Sequence, residues 1–261
     1  MMFERNLGLI TEMQQAKLSE GSVLIAGVGG MGGVAAEVLV RMGVGNITIC
    51  DFDIFEASNC NRQLHSNSTT IGQHKAEVLK EKFLEINNEL NIRAFNEPVQ
   101  LANVEQLLEN VDVIINGMDD MFSSIVLERT ARKKNITIVD AWLTPYASVF
   151  VMKPDSPHWE DYLELPTAGV PIEAITEEMC TEAVKKEVEY TFSHFSPFSI
   201  IDKDCVDDVL NGKRPRPSLA PVVWLSGTLM ANETFKVLTD QKHTDNKGIF
   251  MDQYDYAIKK G

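Results

Sequence analysis

A glycine-rich loop is the part of this sequence best suited to approach a nucleotide phosphate. The run Gly27-Val28-Gly29-Gly30-Met31-Gly32 lies between a short apolar segment and a segment with helical spacing of apolar residues. A backbone without side chains can come close to a phosphate at a helix N-terminus. Asp51 follows the next apolar segment about 20 residues later, where a carboxylate can bind ribose hydroxyls. This pattern predicts nucleotide binding and, taken alone, fits NAD as well as ATP.

A second set of polar residues favours a triphosphate. Six candidates follow the second apolar segment and one follows the fourth: Asp51, Asp53, Asn59, Arg62, Gln63 and Lys75, and then Asp119. In a doubly wound sheet the ends of strands one, two and four line one crevice, so these side chains should gather beside the glycine loop. Two cations and a carboxylate for Mg²⁺ exceed what NAD requires and suit ATP, whose pyrophosphate must leave. Asp119 is the candidate Mg²⁺ ligand, and Asp53 either binds Mg²⁺ or caps a turn.

The elements needed to position these residues alternate regularly through the first 150 residues. Apolar runs predict parallel strands over residues 22–27, 47–50, 92–95, 111–117 and 136–141. Helical spacing predicts helices over residues 34–42, 75–86, 104–108 and 123–134. Strands that alternate with helices indicate an α/β fold with a Rossmann-like, doubly wound and mostly parallel sheet.

The second half of the chain has a different character. Residues 155–190 contain ten acidic residues and two basic ones, and prolines interrupt the sequence up to residue 221. Long loops with short helices are therefore expected there, before a helix over 219–239 and a terminal strand over 249–258. We interpret the chain as a single domain: a nucleotide-binding half (1–150), a divergent crossover or substrate region (151–216), and a C-terminal helix and strand (217–261).

The composition of the chain makes nucleic-acid binding, membrane insertion and a zinc site unexpected. The formal net charge of −14 makes nucleic acid an unexpected partner, because phosphate backbones are bound by excess Lys and Arg. No apolar stretch approaches the roughly 18 residues of a membrane span, and the N-terminus lacks the pattern of a signal peptide. The four cysteines form no Cys-x-x-Cys pair, so no zinc site is expected. A cytoplasmic protein with no membrane association is predicted.

Five segments together resemble the ThiF/MoeB/HesA family, whose fold is shared by the adenylation domains of ubiquitin-activating enzymes. The segments are GVGGMGG, ITICDFDIFEASNCNRQLHS, IGQHKAE, VIINGMDD and APVVWLSGTLMANETFKVL. The resemblance covers roughly residues 3–150 and 217–239. It implies ATP-dependent adenylation of a carboxylate, most simply the free C-terminus of a ubiquitin-like small protein or a peptide, with release of pyrophosphate.

The resemblance also implies roles for individual residues. The nucleotide loop would consist of Gly27, Gly29, Gly30 and Gly32, and Asp51 would bind the ribose. The phosphates would be contacted by Asn59, Arg62 and Lys75, with Gln63 in the same pocket. Asp119 would position Mg²⁺ and the nucleotide. In the segment FERNLGLI, Arg5 would reach into the site of a partner subunit. A homodimer is therefore implied.

Several alternatives remain open at this point. Cys180-Thr181 resembles the Cys-Thr pair of thioester-forming activating enzymes, but EEMCTEAVKKEVEY also fits an acidic helix whose carboxylates would blunt the thiol. A tRNA-modifying dehydratase of the same family would keep the ATP chemistry and change the substrate. An NAD-dependent dehydrogenase and an inactive partner subunit are the other readings, and the combination of Arg62, Lys75 and Asp119 argues against both.

Overall fold

The sheet that carries the candidate residues is mixed. A computed structural model describes residues 2–142 and 145–261, and within them eight strands follow the order β3-β2-β1-β4-β5-β6-β7-β8. The strands are β1 (Ser22–Ala26), β2 (Asn46–Cys50), β3 (Asn91–Phe95), β4 (Val113–Asn116), β5 (Thr137–Asp140), β6 (Ala147–Met152), β7 (Ile249–Asp252) and β8 (Ala257–Lys260). Neighbours among β1 to β5 are parallel, and β6, β7 and β8 extend the sheet with antiparallel pairings. The predicted Rossmann-like α/β fold is confirmed.

Helices cover both faces of this sheet. In the described residues they are α1 (Glu12–Glu20), α2 (Gly30–Met42), α3 (Lys75–Ile86), α4 (Val104–Leu107), α5 (Met121–Lys133), α6 (Trp159–Tyr162), α7 (Glu177–His194), α8 (Lys203–Leu210) and α9 (Ala220–Leu238). Alternate residues of β1 belong to different core clusters: Val23 and Ile25 pack with α2, α3 and α9, whereas Leu24 and Ala26 pack with α4 and α5. This is the two-sided burial expected of a central parallel strand.

Helix α9 connects the end of the chain to the nucleotide-binding half. It lies against α2 so closely that a Cβ on Gly227 would be 2.5 Å from the carbonyl oxygen of Met31. Only glycine permits this approach of two helices. This contact joins two of the segments that carry the resemblance, which lie nearly 200 residues apart in the sequence, into one structural unit. No helix in the described part of the chain has the length and apolar character of a membrane span.

Three predictions about elements were wrong. Helix α2 begins at Gly30 rather than near residue 34, because its first-turn glycines are part of the helix. The predicted terminal strand over 249–258 is two strands, β7 and β8, joined by a turn. The acidic region contains α7, an 18-residue helix, where short helices were expected. Thr176 caps α7, and packing of Ala183 and neighbouring apolar residues into the core stabilises it.

Candidate active site

The glycine loop passes between β1 and α2 at the carboxyl edge of the sheet. Gly27 has a φ of +81°, and a Cβ on it would lie 2.7 Å from the backbone of Gly117 at the end of β4. A Cβ on Gly32 would lie 1.9 Å from the carbonyl oxygen of Gly27. These glycines therefore permit close packing of the loop on β4 and on its own helix. Gly29 has open space before it, since its added Cβ would meet only the Gln63 side chain at 3.6 Å.

A cleft that is open to solvent lies beside this loop. Most of the predicted site residues line it: Gly27, Gly29, Gly30, Asp51, Asp53, Arg62, Gln63, Lys75 and Asp119. The structure thus brings together side chains from the ends of β1, β2 and β4 and from the loop before α3. Gly32 and Asn59 do not line the cleft. Gly32 serves packing, and the Asn59 side-chain oxygen accepts a 3.0 Å hydrogen bond from the Glu56 amide, which shapes the loop behind the cleft.

Asp51 links the end of β2 to the glycine loop. Its carboxylate oxygens accept hydrogen bonds from the amides of Val28 and Asp53, each at 2.8 Å. Burial raises the pKa of Asp51, an effect that the nearby Lys75 charge and the two amide hydrogen bonds oppose. The side chain therefore holds the loop in register with β2 while it faces the cleft, where ribose binding was predicted.

Lys75 is a buried cation at the start of α3. The residue is 4% exposed, and its ammonium nitrogen lies 2.7 Å from a carboxylate oxygen of Asp53. The Asp53 side chain is 49% exposed, so much of its charge is solvated. The Asp53 carboxylate thus pairs with Lys75, and the two alternatives predicted for Asp53, Mg²⁺ binding and the capping of a turn, stay predictions. The ammonium thus lies beside the Asp53 carboxylate and also acts on the Asp51 carboxyl group, and its position in the cleft lining lets it interact with an anion there.

Arg62 and Gln63 close the cleft on the side of the β2–α3 loop. The Arg62 guanidinium donates to the Ser58 carbonyl oxygen at 3.0 Å and to the Asn61 side chain at 2.9 Å. Trp224 of α9 donates to the Arg62 carbonyl oxygen at 2.8 Å, which fixes this part of the loop. The Gln63 side-chain oxygen is buried without a hydrogen-bond partner in the described residues. A buried polar atom without a partner at the edge of a cleft indicates a ligand.

Asp119 and Asp120 follow β4 but differ in their surroundings. Asp119 is exposed at the cleft, where a carboxylate can share a cation with phosphate oxygens. The Asp120 side chain caps α5 by accepting a 2.8 Å hydrogen bond from the Ser123 amide. No group of three or more His, Cys, Asp or Glu side chains with the arrangement of a metal site occurs in residues 2–142 and 145–261. A metal held mainly by nucleotide phosphates needs only one or two protein carboxylates, which Asp119 can supply.

Two further predicted residues, Arg5 and Cys180, lie outside the cleft. Arg5 is exposed in a short 3-10 turn, Glu4–Asn6. Its action in a partner's site stays a prediction. Cys180 is half-buried on α7, and its thiol pKa is raised by burial first and then by the charges of Asp120 and Glu177. A raised pKa lowers the fraction of reactive thiolate, which disfavours Cys180 as a nucleophile.

Replacing Cys180 with alanine is therefore expected to leave the rates of adenylate and final product formation within about twofold of the unmodified protein. Release of AMP and pyrophosphate, with mass spectrometry of the protein for a thioester adduct, measures this. Cys205→Ala is the matched control, since Cys205 lies at the neighbouring cavity on α8. Loss of product formation in the Cys180 variant alone would reinstate the thiol as a nucleophile.

The inner wall of the cleft contains acidic residues that sequence reasoning missed. Glu128 of α5, Asp140 at the end of β5 and Glu187 of α7 line the same cleft as the glycine loop. Asp140 is the last residue of β5, and Asp51 and Asp119 lie shortly after the ends of β2 and β4. This shared position at a strand end could have identified Asp140 from the sequence. No sequence signal distinguished Glu128 or Glu187 from solvent-facing acids on a helix, because their position depends on how α5 and α7 pack.

Burial is the main cause of the raised pKa values of these three carboxyl groups. It raises the pKa of Asp140 to about 7, against which hydrogen bonds from Ala141, Asn116 and Glu128 act. The pKa values of Glu128 and Glu187 are raised well above their ordinary value, again chiefly by burial and then by the charge of Asp140. These carboxyl groups therefore retain protons at pH values where exposed carboxylates are ionised.

The raised pKa of Glu128 makes the stability of the folded protein depend on pH. The folded protein keeps a proton that the unfolded chain loses above about pH 4.5, so the stabilisation is present at low pH and is lost as the pH rises towards the folded pKa. Glu128→Gln cannot titrate, and its melting temperature should fall less between pH 5 and pH 8. One pKa unit corresponds to about 1.4 kcal/mol, or about 3–6 °C for a domain of this size.

Thermal unfolding at a series of pH values, with the exposed Glu189→Gln on α7 as control, measures this difference. Parallel melting curves for the unmodified protein and the Glu128 variant would contradict it.

Comparison with known proteins supports the relationship that the cleft suggests. The ThiF family model matches residues 3–259. The tRNA threonylcarbamoyladenosine dehydratase of Bacillus subtilis (strain 168) is 29% identical over 236 residues, which cover 87% of this chain and 91% of that protein. The probable molybdopterin-synthase adenylyltransferase of Porphyra purpurea is 36% identical over 121 residues, which cover 46% of this chain and 32% of that protein. The match thus spans about a third of the length of the latter relative.

Solved structures share the fold. E. coli MccB in complex with ATP superposes with a TM-score of 0.71 at 19% identity, and the match covers 95% of this chain and 66% of that one. The structure of E. coli MccB with MccA gives the same TM-score of 0.71. Because the family model matches nearly the whole chain, the protein belongs to the ThiF family and is an adenylyltransferase-like member of it.

Proposed function

We propose that this protein uses ATP and Mg²⁺ to adenylate a carboxylate, which is the free C-terminus of a small protein or a peptide. The observation that carries this proposal is the buried ammonium of Lys75, which lines one cleft together with three loop glycines and Arg62. A backbone cradle with two cations beside it suits a polyphosphate. The unpartnered oxygen of Gln63 at the same cleft also favours a ligand there.

The chemistry needs little from the protein beyond charge and position. A carboxylate oxygen of the substrate forms a bond to the α-phosphorus of ATP, the bond from that phosphorus to the pyrophosphate oxygen breaks, and acyl-adenylate and pyrophosphate result. Negative charge increases on the departing pyrophosphate. Lys75 and Arg62 stabilise this charge, and no base is needed because the attacking carboxylate is already ionised. Asp51 holds the ribose side of the nucleotide.

Mg²⁺ would be held by Asp119 and by the phosphates of ATP. Bound there, the ion neutralises phosphate charge during the transfer. Asp119 suits this role because it is exposed at the cleft, and a hard divalent cation prefers oxygen ligands and keeps some of its water. The relatives that carry adenylyltransferase names support the reaction type. The neighbour MccB, solved with ATP in one structure and with MccA in another, supports binding of a nucleotide and of a second molecule on this fold.

A homodimer is part of the proposal, because Arg5 would act in the partner's site. We expect Arg5→Ala and Lys75→Met to be inactive separately and to regain about a quarter of the activity when mixed in equal amounts after subunit exchange. Half of the dimers are then mixed, and each has one site with both Lys75 and Arg5 intact. Activity of the mixture is measured by pyrophosphate exchange. Failure to regain activity, with exchange of subunits shown by mass spectrometry, would place Arg5 outside the active site.

A second candidate function is a tRNA-modifying dehydratase. It is favoured by the Bacillus subtilis relative with that name, whose match covers most of both chains. The net charge of −14 argues against it, since binding to tRNA requires a concentration of positive charge. Filter binding to total tRNA at low and moderate salt separates the two functions. Salt-sensitive, tight binding would favour the dehydratase, and no binding would favour the carboxylate substrate.

Nucleotide specificity tests the proposed function directly. ATP with Mg²⁺ should raise the melting temperature, with a stabilisation of about 2.7 kcal/mol at 100 times the dissociation constant. NAD at the same concentration should have little effect. Pyrophosphate exchange that depends on an added carboxylate would then show turnover. A preference for NAD over ATP would reject adenylation and favour a dehydrogenase.

A further inference from the structure

The cleft has an inner lobe beyond the nucleotide side. Asp51 and Lys75 line the cleft near β2, whereas Asp140 and Trp142 lie at the end of β5, on the other side of β4 in the sheet. If ATP binds by the glycine loop and Asp51, the other substrate must approach its α-phosphate from the β4–β5 side. In that arrangement the groups on the β4–β5 side are the ones placed to contact the carboxylate substrate.

Three carboxyl groups from three elements face this lobe. Glu128 projects from α5, Asp140 from the end of β5 and Glu187 from α7. Glu128 and Asp140 share a hydrogen bond, and Asp140 also accepts from Asn116 at 3.0 Å and from the Ala141 amide at 2.6 Å. Burial of acidic groups this close together is unfavourable, so their presence calls for a compensating role.

Two buried polar atoms of residues that line both this cleft and a smaller neighbouring cavity lack hydrogen-bond partners among the described residues. One is a carboxyl oxygen of Glu128, a residue that is 4% exposed. The other is the indole nitrogen of Trp159, a residue outside the acidic group that is 3% exposed and also lines the cleft. One atom is an acceptor and the other a donor. A ligand that presents both a donor and an acceptor would satisfy them together.

The lobe also has apolar walls, beside polar lining residues that include Asn116, Ser124 and Arg216. Trp142 stacks on Phe150, with ring centroids 4.0 Å apart, and presents an aromatic surface to the cleft. Val184 and Val188 of α7 lie along the same wall. Aromatic and aliphatic surfaces beside carboxyl groups suit an alkyl chain that ends in a positive charge.

We propose that the inner lobe binds an alkylammonium group carried by the carboxylate substrate, with Glu128, Asp140 and Glu187 as its partners. The substrate is then a carboxylate whose own residue bears a primary amine, as a C-terminal lysine does. The indole nitrogen of Trp159 donates to a carbonyl oxygen of the same substrate. This inference rests on the proposed adenylation, because it identifies the substrate of the same cleft.

The charge state of the lobe gives the proposal a pH dependence. Glu128 is influenced by Asp140, Glu187 and Glu160, and Glu187 is influenced by Asp140 and Arg216. Without a ligand the raised pKa values favour the protonated form of these carboxyl groups. An ammonium group stabilises the ionised form, so binding releases protons and becomes tighter as the pH rises from 6 to 8. A lysine side chain stays charged over this range.

Calorimetric titration of the full chain with two peptides tests the proposal. The peptides are N-acetyl-Gly-Lys and N-acetyl-Gly-norleucine, which differ mainly in the terminal amine and both carry a free carboxylate. We expect the lysine peptide to bind at least tenfold more tightly at pH 8, with proton release detected as a dependence on buffer ionisation heat. Glu128→Gln and, as a second variant, Glu187→Gln should remove most of the difference. Glu189→Gln, on the exposed face of α7, should retain it.

Other results of these titrations would overturn the ammonium site or separate it from the proposed adenylation. Equal affinity for the two peptides would overturn the proposal, even if n-butylammonium alone binds, because the amine would then belong to a separate molecule. Loss of the lysine preference on addition of Mn²⁺ would also overturn it and indicate a metal site. Pyrophosphate exchange is measured separately. If no carboxylate supports exchange while the lysine preference persists, the adenylation proposal fails and the ammonium site stands.

Discussion

Replacing Lys75 with methionine is expected to lower the rate of adenylate formation by about 100- to 1000-fold, the usual effect of removing one group that stabilises transition-state charge. Lys75 has the two properties needed for this effect: it is 4% exposed, and it lines the cleft beside the glycine loop. In water-poor surroundings an ammonium interacts with phosphate charge far more strongly than it does at a surface. Methionine keeps most of the length of the side chain and lacks the charged ammonium group.

The fold should survive this change. Asp53 loses its partner in the Lys75 variant, but its side chain is 49% exposed and can be solvated by water. Lys82→Met on the same helix is the matched control, because the Lys82 side chain is 39% exposed and pairs only with Glu85 on α3. Pyrophosphate exchange and melting temperature, measured for both variants, separate chemistry from folding. Exchange within threefold of the unmodified rate in the Lys75 variant would exclude the proposed role of its charge.

The second large effect is expected from the glycine loop, where two neighbouring glycines should respond in different ways. An alanine at position 32 would place its Cβ 1.9 Å from the carbonyl oxygen of Gly27, and backbone cannot move aside as a side chain can. Gly32→Ala should therefore lose more than about 4 kcal/mol of stability, a size typical of severe steric conflict. Helix propensity alone predicts the opposite sign, since alanine is favoured over glycine by about 1 kcal/mol in a helix.

Gly29→Ala should instead fold and fail to bind ATP well. Its added Cβ would meet only the Gln63 side chain, at 3.6 Å and beyond, so the melting temperature should change by only a few degrees. The methyl group would occupy the space through which a phosphate approaches the backbone, and we expect at least tenfold weaker ATP binding. Thermal unfolding and ATP titration of both variants check this pair. A Gly29 variant that binds ATP normally would place the phosphates elsewhere.

Much of the nucleotide side of the site could be predicted from the sequence. The apolar runs at β1, β2, β4 and β5 and the glycines after β1 are local signals, because period and turn chemistry act within a few residues. Parallel strands bring their carboxyl ends to one edge of a sheet, so Asp51, Lys75 and Asp119 were expected to meet there. The cleft lined by these residues agrees with that expectation.

Local spacing could not predict two features of the site. These are the pairing of Lys75 with Asp53 and the position of Asn59 behind the cleft. Both depend on the path of the loop over residues 51–74, which consists of turns and one short 3-10 helix, Ala57–Asn59, and has little periodicity. Which side chain faces the cleft and which supports the loop is decided by backbone geometry. The hydrogen bond of Asn59 to the Glu56 amide is a product of that geometry.

The sequence by itself determined the order of strands and helices in the first half, the glycine cradle and the set of charged residues beside it, because each of these follows from local spacing and from the geometry of parallel strands. The tertiary structure alone decided the antiparallel extension β6–β8, the length of α7, and the acidic inner lobe formed by Glu128, Asp140 and Glu187. The physical reason is that a helical glutamate has the same local pattern whether it faces water or a protein interior. Only the packing of α5 and α7 against the sheet removes that water and raises the pKa of these carboxyl groups.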